Sequence, residues 1–170
     1  MSRSYPGPTR IITVLFVCLG NICRSPMAES IFRSMVEQAG LNRIITVDSA
    51  GTGAWHIGEA PHVGTQRVLR SHGLTSAHRA RVVVSKDFAQ FDYVIALDRS
   101  NMHDLRSMAG IAATRLSLLL EHAPHLGLDD VPDPYFTGQF EQTYELVSQG
   151  CCGLLERIMA DHRLSAIQSH

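Results

Sequence analysis

The stretch that decides the fold covers residues 11–26 and reads IITVLFVCLGNICRSP. Residues 11–17 form a continuous apolar, β-branched run, which is typical of a strand covered on both faces. Ser25 and Pro26 are typical of a helix start, with serine as the N-cap and proline at the first helical position. A strand, a short loop and a helix in this order predict an α/β fold. In such a fold Cys18 lies at the carboxyl end of the first strand, where ligands bind.

Strands and helices continue to alternate along the chain. We predict further strands at residues 44–47, 81–84 and 93–97, and helices at residues 26–39, 63–72, 86–91, 100–108 and 140–161. Residues 116–120 are ambiguous, and residues 126–135 are expected to form a loop. The order predicts an open, mainly four-stranded parallel sheet with helices on both faces and a phosphate-binding loop after the first strand. Residues 1–9 are expected to be a flexible tail, followed by a single domain at residues 10–170.

Composition and charge exclude some classes of function. The chain has 170 residues, 45% of them apolar, and a formal net charge of −1 with 9 histidines uncounted. This balance argues against a nucleic-acid binder, which usually carries a basic surplus. The cysteines are expected to be free thiols of a reducing compartment, with the pair on the last helix buried: Cys18, Cys23, Cys151 and Cys152.

The apolar run after Arg10 imitates a short signal peptide, but no small-residue cleavage site follows it. No segment reaches the length of a membrane span. We therefore expect a cytoplasmic protein with no membrane partner. We also expect a monomer or a weak dimer.

The loop between Cys18 and Arg24 has the composition of an oxyanion site. A loop of five residues that enters a helix can curl so that its backbone N–H groups point inward around a tetrahedral anion. Gly20 and Asn21 tolerate the positive φ that such a curl requires. The planar guanidinium of Arg24 binds two phosphate oxygens at once. These groups favour the thiolate of Cys18, and Ser25 is placed to hydrogen-bond its sulfur.

Other interpretations of this loop are weaker. A nucleotide-binding P-loop needs Gly-Lys-Ser/Thr at the helix start, where this chain has Cys-Arg-Ser. A structural zinc site needs close cysteine pairs or a Cys/His set at standard spacing, and none is seen. A buried core cysteine explains the thiol but not the strand before it and the helix start after it. We expect neither a metal nor a cofactor in the reaction.

A phosphate ester also needs an acid to protonate its leaving group. Asp133 in the sequence Asp-Pro-Tyr is the best candidate, because it lies in a long loop beside an aromatic residue. Asp-Pro is also a common turn starter, so the pattern alone is not specific. Weaker candidates are Asp98, Asp129 and Asp130.

These motifs together resemble the low-molecular-weight protein tyrosine phosphatases. VCLGNICRSP is similar to the family's signature, DSAGTGAW to its second loop and DPYF to its acid loop. The stretch SAHRARVVVSKDFAQFDYVIALDRSNMHDL is similar to its middle section. The adjacent cysteines at 151 and 152 resemble those of animal members, and Leu19 and Trp55 are closer to the animal-type subclass. Phe136 departs from the second tyrosine that many members have.

The resemblance implies a role for each site residue. Cys18 would be the nucleophile, Arg24 the phosphate clamp and Asp133 the general acid and then the general base. The phosphate-binding loop would consist of Leu19, Gly20, Asn21, Ile22, Cys23 and Ser25.

The resemblance also implies a set of supporting residues. Asn21 would hold a left-handed turn with the support of Ser25, Ser49 and His72. The walls that stack on an aryl ring would be Leu19, Trp55 and Tyr135. Each of these residues taken alone is more often a cap, a surface residue or core packing.

We therefore predict a metal-free phosphatase that acts on phosphotyrosine in proteins through a phosphocysteine intermediate. Thiol-dependent arsenate reductases share the fold, but they need two further cysteines, expected near residues 80–95, where this chain has none. A non-catalytic phosphotyrosine-binding module would usually lack Cys18, Arg24 or Asp133. Cys23 is either a small packing residue or a redox partner that protects Cys18 by forming a disulfide.

Overall fold

The computed structural model describes residues 10–110 and 116–167, so the predicted tail at residues 1–9 lies outside the described residues. A parallel sheet forms the centre of the domain, with the strand order β2-β1-β3-β4. The strands are β1 (Ile12–Cys18), β2 (Ile45–Gly51), β3 (Tyr93–Ala96) and β4 (Leu116–Leu118). The first strand is therefore central, as its apolar run predicts, and Cys18 lies opposite Gly51 at its carboxyl end.

Helices cover both faces of the sheet. They are α1 (Arg24–Gln38), α2 (Val63–Ser71), α3 (Asp87–Gln90), α4 (Arg99–Ala109), α5 (Pro134–Thr137) and α6 (Phe140–Asp161). Two 3₁₀ turns, Leu119–His122 and Pro124–Leu126, follow β4. The predicted fold class is confirmed.

Side chains of β1 alternate between two apolar cores, as the two-residue period of a strand requires. Val14 and Phe16 pack with α1 and α6 in the larger core. Leu15 and Val17 pack on the other face with α3 and α4. Gly153 lets α6 approach the turn after β4, because a Cβ there would lie 1.7 Å from the carbonyl oxygen of His122.

The fourth strand of the sheet differs from the prediction. Residues 81–84 form a single parallel bridge, between Val82 and Gly51, rather than a strand. Gly51 is the last residue of β2, so the segment meets the sheet where the ladder ends. The ambiguous segment at residues 116–120 instead supplies β4 and the start of a 3₁₀ turn.

Two helix starts also differ from the prediction. The first helix begins at Arg24, with Cys23 at the N-cap and no side-chain cap. Ser25 is therefore not the cap, and its hydroxyl lies 3.0 Å from the sulfur of Cys18 instead. The expected loop at residues 126–135 contains the start of α5, and Asp133 caps this short helix by accepting from the N–H of Tyr135.

The cysteine pair on α6 is only partly buried. Cys151 is buried, but Cys152 is exposed, so the expectation that both are buried is wrong for Cys152. Adjacent residues of a helix point about 100° apart, so one faces the core and its neighbour faces away from it. All four cysteines are free.

Across the described ranges, no helix combines the length and apolar character needed to cross a membrane.

Candidate active site

The loop of residues 19–23 lies between β1 and α1, at the carboxyl edge of the sheet. Its carbonyl groups point outward: the oxygens of Cys18 and Leu19 accept from the N–H groups of Thr52 and Gly53, each at 2.9 Å. The carbonyl oxygen of Ile22 accepts from the N–H of His62 at 2.8 Å. Within the described part of the chain, the N–H groups of residues 19–23 have no acceptor. They are therefore available to an anion held inside the loop.

Asn21 holds the curl of this loop. It has a positive φ of 58°, one of two such non-glycine residues in the described ranges. Its amide nitrogen donates to the hydroxyls of Ser25 at 2.8 Å and Ser49 at 3.0 Å. Its amide oxygen accepts from the backbone N–H of Arg81 at 3.0 Å and lies 2.7 Å from Nε2 of His78. The predicted contacts of Asn21 with Ser25 and Ser49 are present.

The predicted contact with His72 is wrong. His72 lies just beyond the end of α2, with Nε2 2.7 Å from a carboxylate oxygen of Glu141 and its ring stacked 3.7 Å from that of Tyr144. Gly73 turns the chain after the helix, so His72 faces α6 and the following segment returns to the loop. His78, on that segment, takes the supporting position. Sequence reasoning missed it because one histidine among nine carries no local signal.

Glu29 completes the support from the far side of His78. Its Oε1 lies 3.2 Å from Nδ1 of His78, and its side chain is 3% exposed. Burial alone would raise the pKa of Glu29, but the hydrogen bond and charge of His78, the charge of Arg33 and a bond from Ser49 outweigh it. The pKa of Glu29 is therefore lowered, and a buried carboxylate faces the imidazole.

Arg24 is buried beneath the loop and held by acceptors along one edge of its guanidinium. Nη1 donates to Asp98 at 2.6 Å and to the carbonyl oxygen of Val131 at 2.9 Å, and Nη2 lies 3.4 Å from Asp133. Burial opposes the charge of Arg24, but Cys18, Asp98 and Asp133 outweigh burial and raise its pKa. Its Nε is buried without a partner, which leaves a donor for an incoming oxyanion.

The four candidate aspartates differ in their partners and in their distance from the cavity. Asp98 caps α4 through one carboxylate oxygen and pairs with Arg24 through the other. Asp130 pairs with Arg99 on the surface, and neither Asp129 nor Asp130 lines the cavity above Cys18. Of the four, Asp133 alone lines that cavity, which supports the sequence-based choice of acid.

The cavity above Cys18 measures about 200 Å³ and has aromatic walls. Leu19, Trp55 and Tyr135 line it as predicted. Trp55 is 71% exposed and Tyr135 is 54% exposed, so both rings stand at the mouth rather than in the core. Two further residues, His56 and Phe136, also line the cavity and were not among the predicted walls.

The two cysteines of the loop differ in their surroundings. The sulfur of Cys18 lies 3.0 Å from the hydroxyl of Ser25, at the bottom of the cavity. Burial, followed by the charges of Cys18 and Asp133, raises the pKa of Cys23 to about 12. Cys23 therefore stays a thiol at neutral pH, which leaves Cys18 as the candidate nucleophile of this loop.

Comparisons with known proteins agree with this geometry. YfkJ of Bacillus subtilis, a low molecular weight protein-tyrosine-phosphatase, is 50% identical over 156 residues, which cover 91% of this chain and all of that protein. Its crystal structure matches with a TM-score of 0.88, covering 91% of this chain and 99% of that one. An arginine phosphatase from Drosophila matches at 35% identity with a TM-score of 0.82, covering 87% and 98% of the two chains.

Relatives from a bacterium and from an animal both match, so the resemblance to the animal-type subclass stays a prediction. The model of the family described as low molecular weight phosphotyrosine protein phosphatase matches residues 13–164, which include almost all of β1, the loop, Asp133 and all of α6. The chain belongs to this phosphatase family.

Proposed function

We propose that this chain hydrolyses phosphotyrosine in proteins, and small aryl phosphates, with Cys18 as nucleophile, Arg24 as clamp and Asp133 as acid and base. One observation carries the proposal: a thiol lies under a loop of unpaired N–H groups, in a cavity that it shares with an arginine and one aspartate. Unpaired backbone donors around a buried arginine suit the three oxygens of a phosphoryl group.

In the first step the sulfur of Cys18 attacks phosphorus, and an S–P bond forms as the bond to the phenolic oxygen breaks. The carboxylic acid of Asp133 gives its proton to that oxygen, so tyrosine leaves uncharged. In the second step the carboxylate of Asp133 takes a proton from water while the water oxygen attacks phosphorus. Cys18 then leaves as a thiolate, which Ser25 supports across 3.0 Å, and phosphate is released.

The free enzyme holds Asp133 beside Arg24, at 3.4 Å. A bound phosphoryl group competes for the same guanidinium, because charge-assisted bonds to phosphate are strong and bidentate. Substrate binding would therefore release Asp133 from the ion pair. The freed carboxyl group is then available to the leaving oxygen of the substrate, as its first role requires.

The aromatic walls favour an aryl leaving group. Trp55 and Tyr135 present exposed rings at the mouth, and aromatic pairs stack with offset or edge-to-face geometry. The Drosophila neighbour is described as an arginine phosphatase, so phosphoarginine is the second substrate class to compare. We propose phosphotyrosine because the walls offer ring faces rather than acidic partners for a guanidinium.

The competing functions have weaker support. An arsenate reductase needs two cysteines that pass electrons to the site, but Cys151 is fully buried and burial raises the pKa of its thiol. A non-catalytic binding module has no use for the acid at the cavity, which Asp133 supplies. We also propose a cytoplasmic location, supported by the four free cysteines. We propose phosphoproteins as the partners of this chain, and we propose no binding to nucleic acid or to membranes.

Cys18→Ser should abolish turnover of a phosphotyrosine peptide, because a serine hydroxyl in place of the thiolate is a far weaker nucleophile. Phosphate binding should persist, since Arg24 and the loop N–H groups remain. Release of phosphate measures the first effect and isothermal titration the second. Cys152→Ser, a change at an exposed cysteine, is the matched control. Phosphoarginine and arsenate serve as comparison substrates, and faster turnover of either would overturn the proposed substrate class.

Asp133→Ala should lower kcat by about 10²–10⁴ for a phenyl ester, the usual size of general acid catalysis. The loss should shrink as the leaving group becomes more acidic, because a good leaving group needs no proton. Steady-state rates across a series of aryl phosphates measure this slope. Asp130→Asn is the control for removal of a nearby carboxylate. A loss that stays constant across the series would assign Asp133 a structural role.

His78→Ala should lower kcat/KM by up to about 10²-fold, because misplaced binding groups cost that much. His72→Ala should leave kcat/KM within about twofold, since its contacts are to α6 at the surface. Phosphate affinity, measured by titration calorimetry, should fall with His78→Ala and not with His72→Ala. A larger loss of phosphate affinity with His72→Ala than with His78→Ala would instead identify His72 as the residue that supports the loop.

Cys23 is proposed to protect Cys18 during oxidation. Peroxide converts Cys18 to a sulfenic acid, and attack by the Cys23 sulfur expels water and leaves a disulfide that dithiol reduces. Cys23→Ser should therefore recover less activity than wild type or Cys152→Ser after brief peroxide treatment. The disulfide should form faster as the pH rises toward 12, because the pKa of Cys23 is raised to about that value. Equal recovery, or no Cys18–Cys23 disulfide by mass spectrometry, would leave Cys23 a packing residue.

A further inference from the structure

The turn that carries Asp133 contacts one side chain, His62, near its beginning and again at its end. Tyr135, two residues after Asp133, places its ring centroid 6.0 Å from that of His62 in an edge-to-face arrangement. Phe140, which opens α6, stacks on the same imidazole at 5.1 Å. Both separations are within the usual range for aromatic pairs. The imidazole therefore joins the two ends of the acid-bearing turn.

Tyr135 is tied directly to the carboxyl group of Asp133. Oδ1 of Asp133 accepts from the backbone N–H of Tyr135 at 3.1 Å, and Oδ2 lies 3.4 Å from Nη2 of Arg24. Once a bound phosphoryl group takes Arg24, the bond from Tyr135 is the one of these two contacts that still orients the carboxyl group. A displacement of Tyr135 would therefore displace the acid.

The ring of Tyr135 is half exposed, and its position depends on aromatic neighbours. In the described part of the chain its ring contacts are with His56 at 6.4 Å, His62 at 6.0 Å and Phe136 at 5.2 Å. Phe136 belongs to the same turn and moves with it. His56 lines the cavity, where it would meet the substrate, whereas the cavity lining does not include His62. His62 is therefore placed to hold the turn without touching the substrate.

His62 is itself held in place by its main chain and by its ring nitrogen. Its backbone N–H donates to the carbonyl oxygen of Ile22 in the phosphate loop at 2.8 Å. Its Nδ1 accepts from the backbone N–H of Gly64 at 3.0 Å and so caps α2. Its carbonyl oxygen accepts from the N–H of Gln66 at 3.0 Å. The main chain of this residue thus supports the phosphate loop, and its side chain contacts the acid-bearing turn.

We propose that His62 is a positioning residue for Asp133: its ring holds Tyr135, and Tyr135 holds the carboxyl group over the cavity. The inference rests on the proposed role of Asp133 as the acid. Proton transfer to the phenolic oxygen needs the two oxygens within hydrogen-bond reach, and a misplacement of about 1 Å can cost about 10²-fold in rate. The phosphate loop keeps its contact with residue 62 when the ring is changed, because that contact is made by the main chain.

Two substitutions separate the ring of His62 from its cap. His62→Asn keeps an acceptor for the N–H of Gly64, because asparagine is a favoured N-cap, but it removes the ring. His62→Phe keeps an aromatic ring and removes the acceptor. His125→Asn is the matched control, since its imidazole contacts Gln149 at the surface, and circular dichroism verifies the fold of each variant.

His62→Asn should lower kcat/KM for phenyl phosphate by about 10–10²-fold, and the loss should shrink as the leaving group becomes more acidic. Phosphate affinity, measured by titration calorimetry, should stay within about twofold. His62→Phe should recover most of kcat/KM although its melting temperature falls, because the helix cap is lost. A fall in phosphate affinity with His62→Asn, or a loss with His62→Phe as large as with His62→Asn, would overturn the inference.

A double-mutant cycle tests whether His62 acts through Asp133. In the Asp133→Ala background, His62→Asn should cause no further loss, because the carboxyl group that the ring positions is absent. A further loss as large as in the wild type would overturn this inference and leave the proposed function intact. A loss with Asp133→Ala that does not depend on the leaving group would overturn both the inference and the role of Asp133 as the acid.

Discussion

The bonds around the side chain of Asn21 are the constraint on which the active site depends. A left-handed residue inside a tight loop is unfavourable for most side chains, and asparagine accepts it when its amide is bonded locally. Here the amide nitrogen and the amide oxygen each have two partners, which come from α1, β2 and the segment at residues 78–81. Because the carbonyl groups of the loop are held outward by other segments, its N–H groups are left for an anion.

The sheet fixes the position of this loop independently of the functional side chains. Both faces of β1 are buried, so its direction is set by two cores at once and the loop leaves the sheet from a fixed point. Gly51 at the end of β2 is needed at that point, because a Cβ there would lie 2.7 Å from the carbonyl oxygen of Leu19. Contact between the loop and the neighbouring strand therefore depends on a residue with no side chain.

Local features of the sequence were enough to predict β1, the start of the loop at Cys18, and the final helix. Each of these rests on a pattern of neighbouring residues, such as an apolar run or a helical period. Two of the errors concern partners that are distant in the chain. His78 lies 57 residues from Asn21, and no local pattern distinguishes it from His72. Residues 81–84 have the composition of a strand, but the sheet edge they meet ends at Gly51.

Trp55 stands at the cavity mouth with most of its ring exposed, and it is the sole tryptophan of the 170 residues. All indole fluorescence of the protein therefore originates from the wall of one cavity. A ring in water emits at longer wavelengths than a ring covered by another aromatic group, so the emission reports directly on whether that wall is covered. The protein thus carries a built-in optical probe of its own active site, free of any background from a second tryptophan.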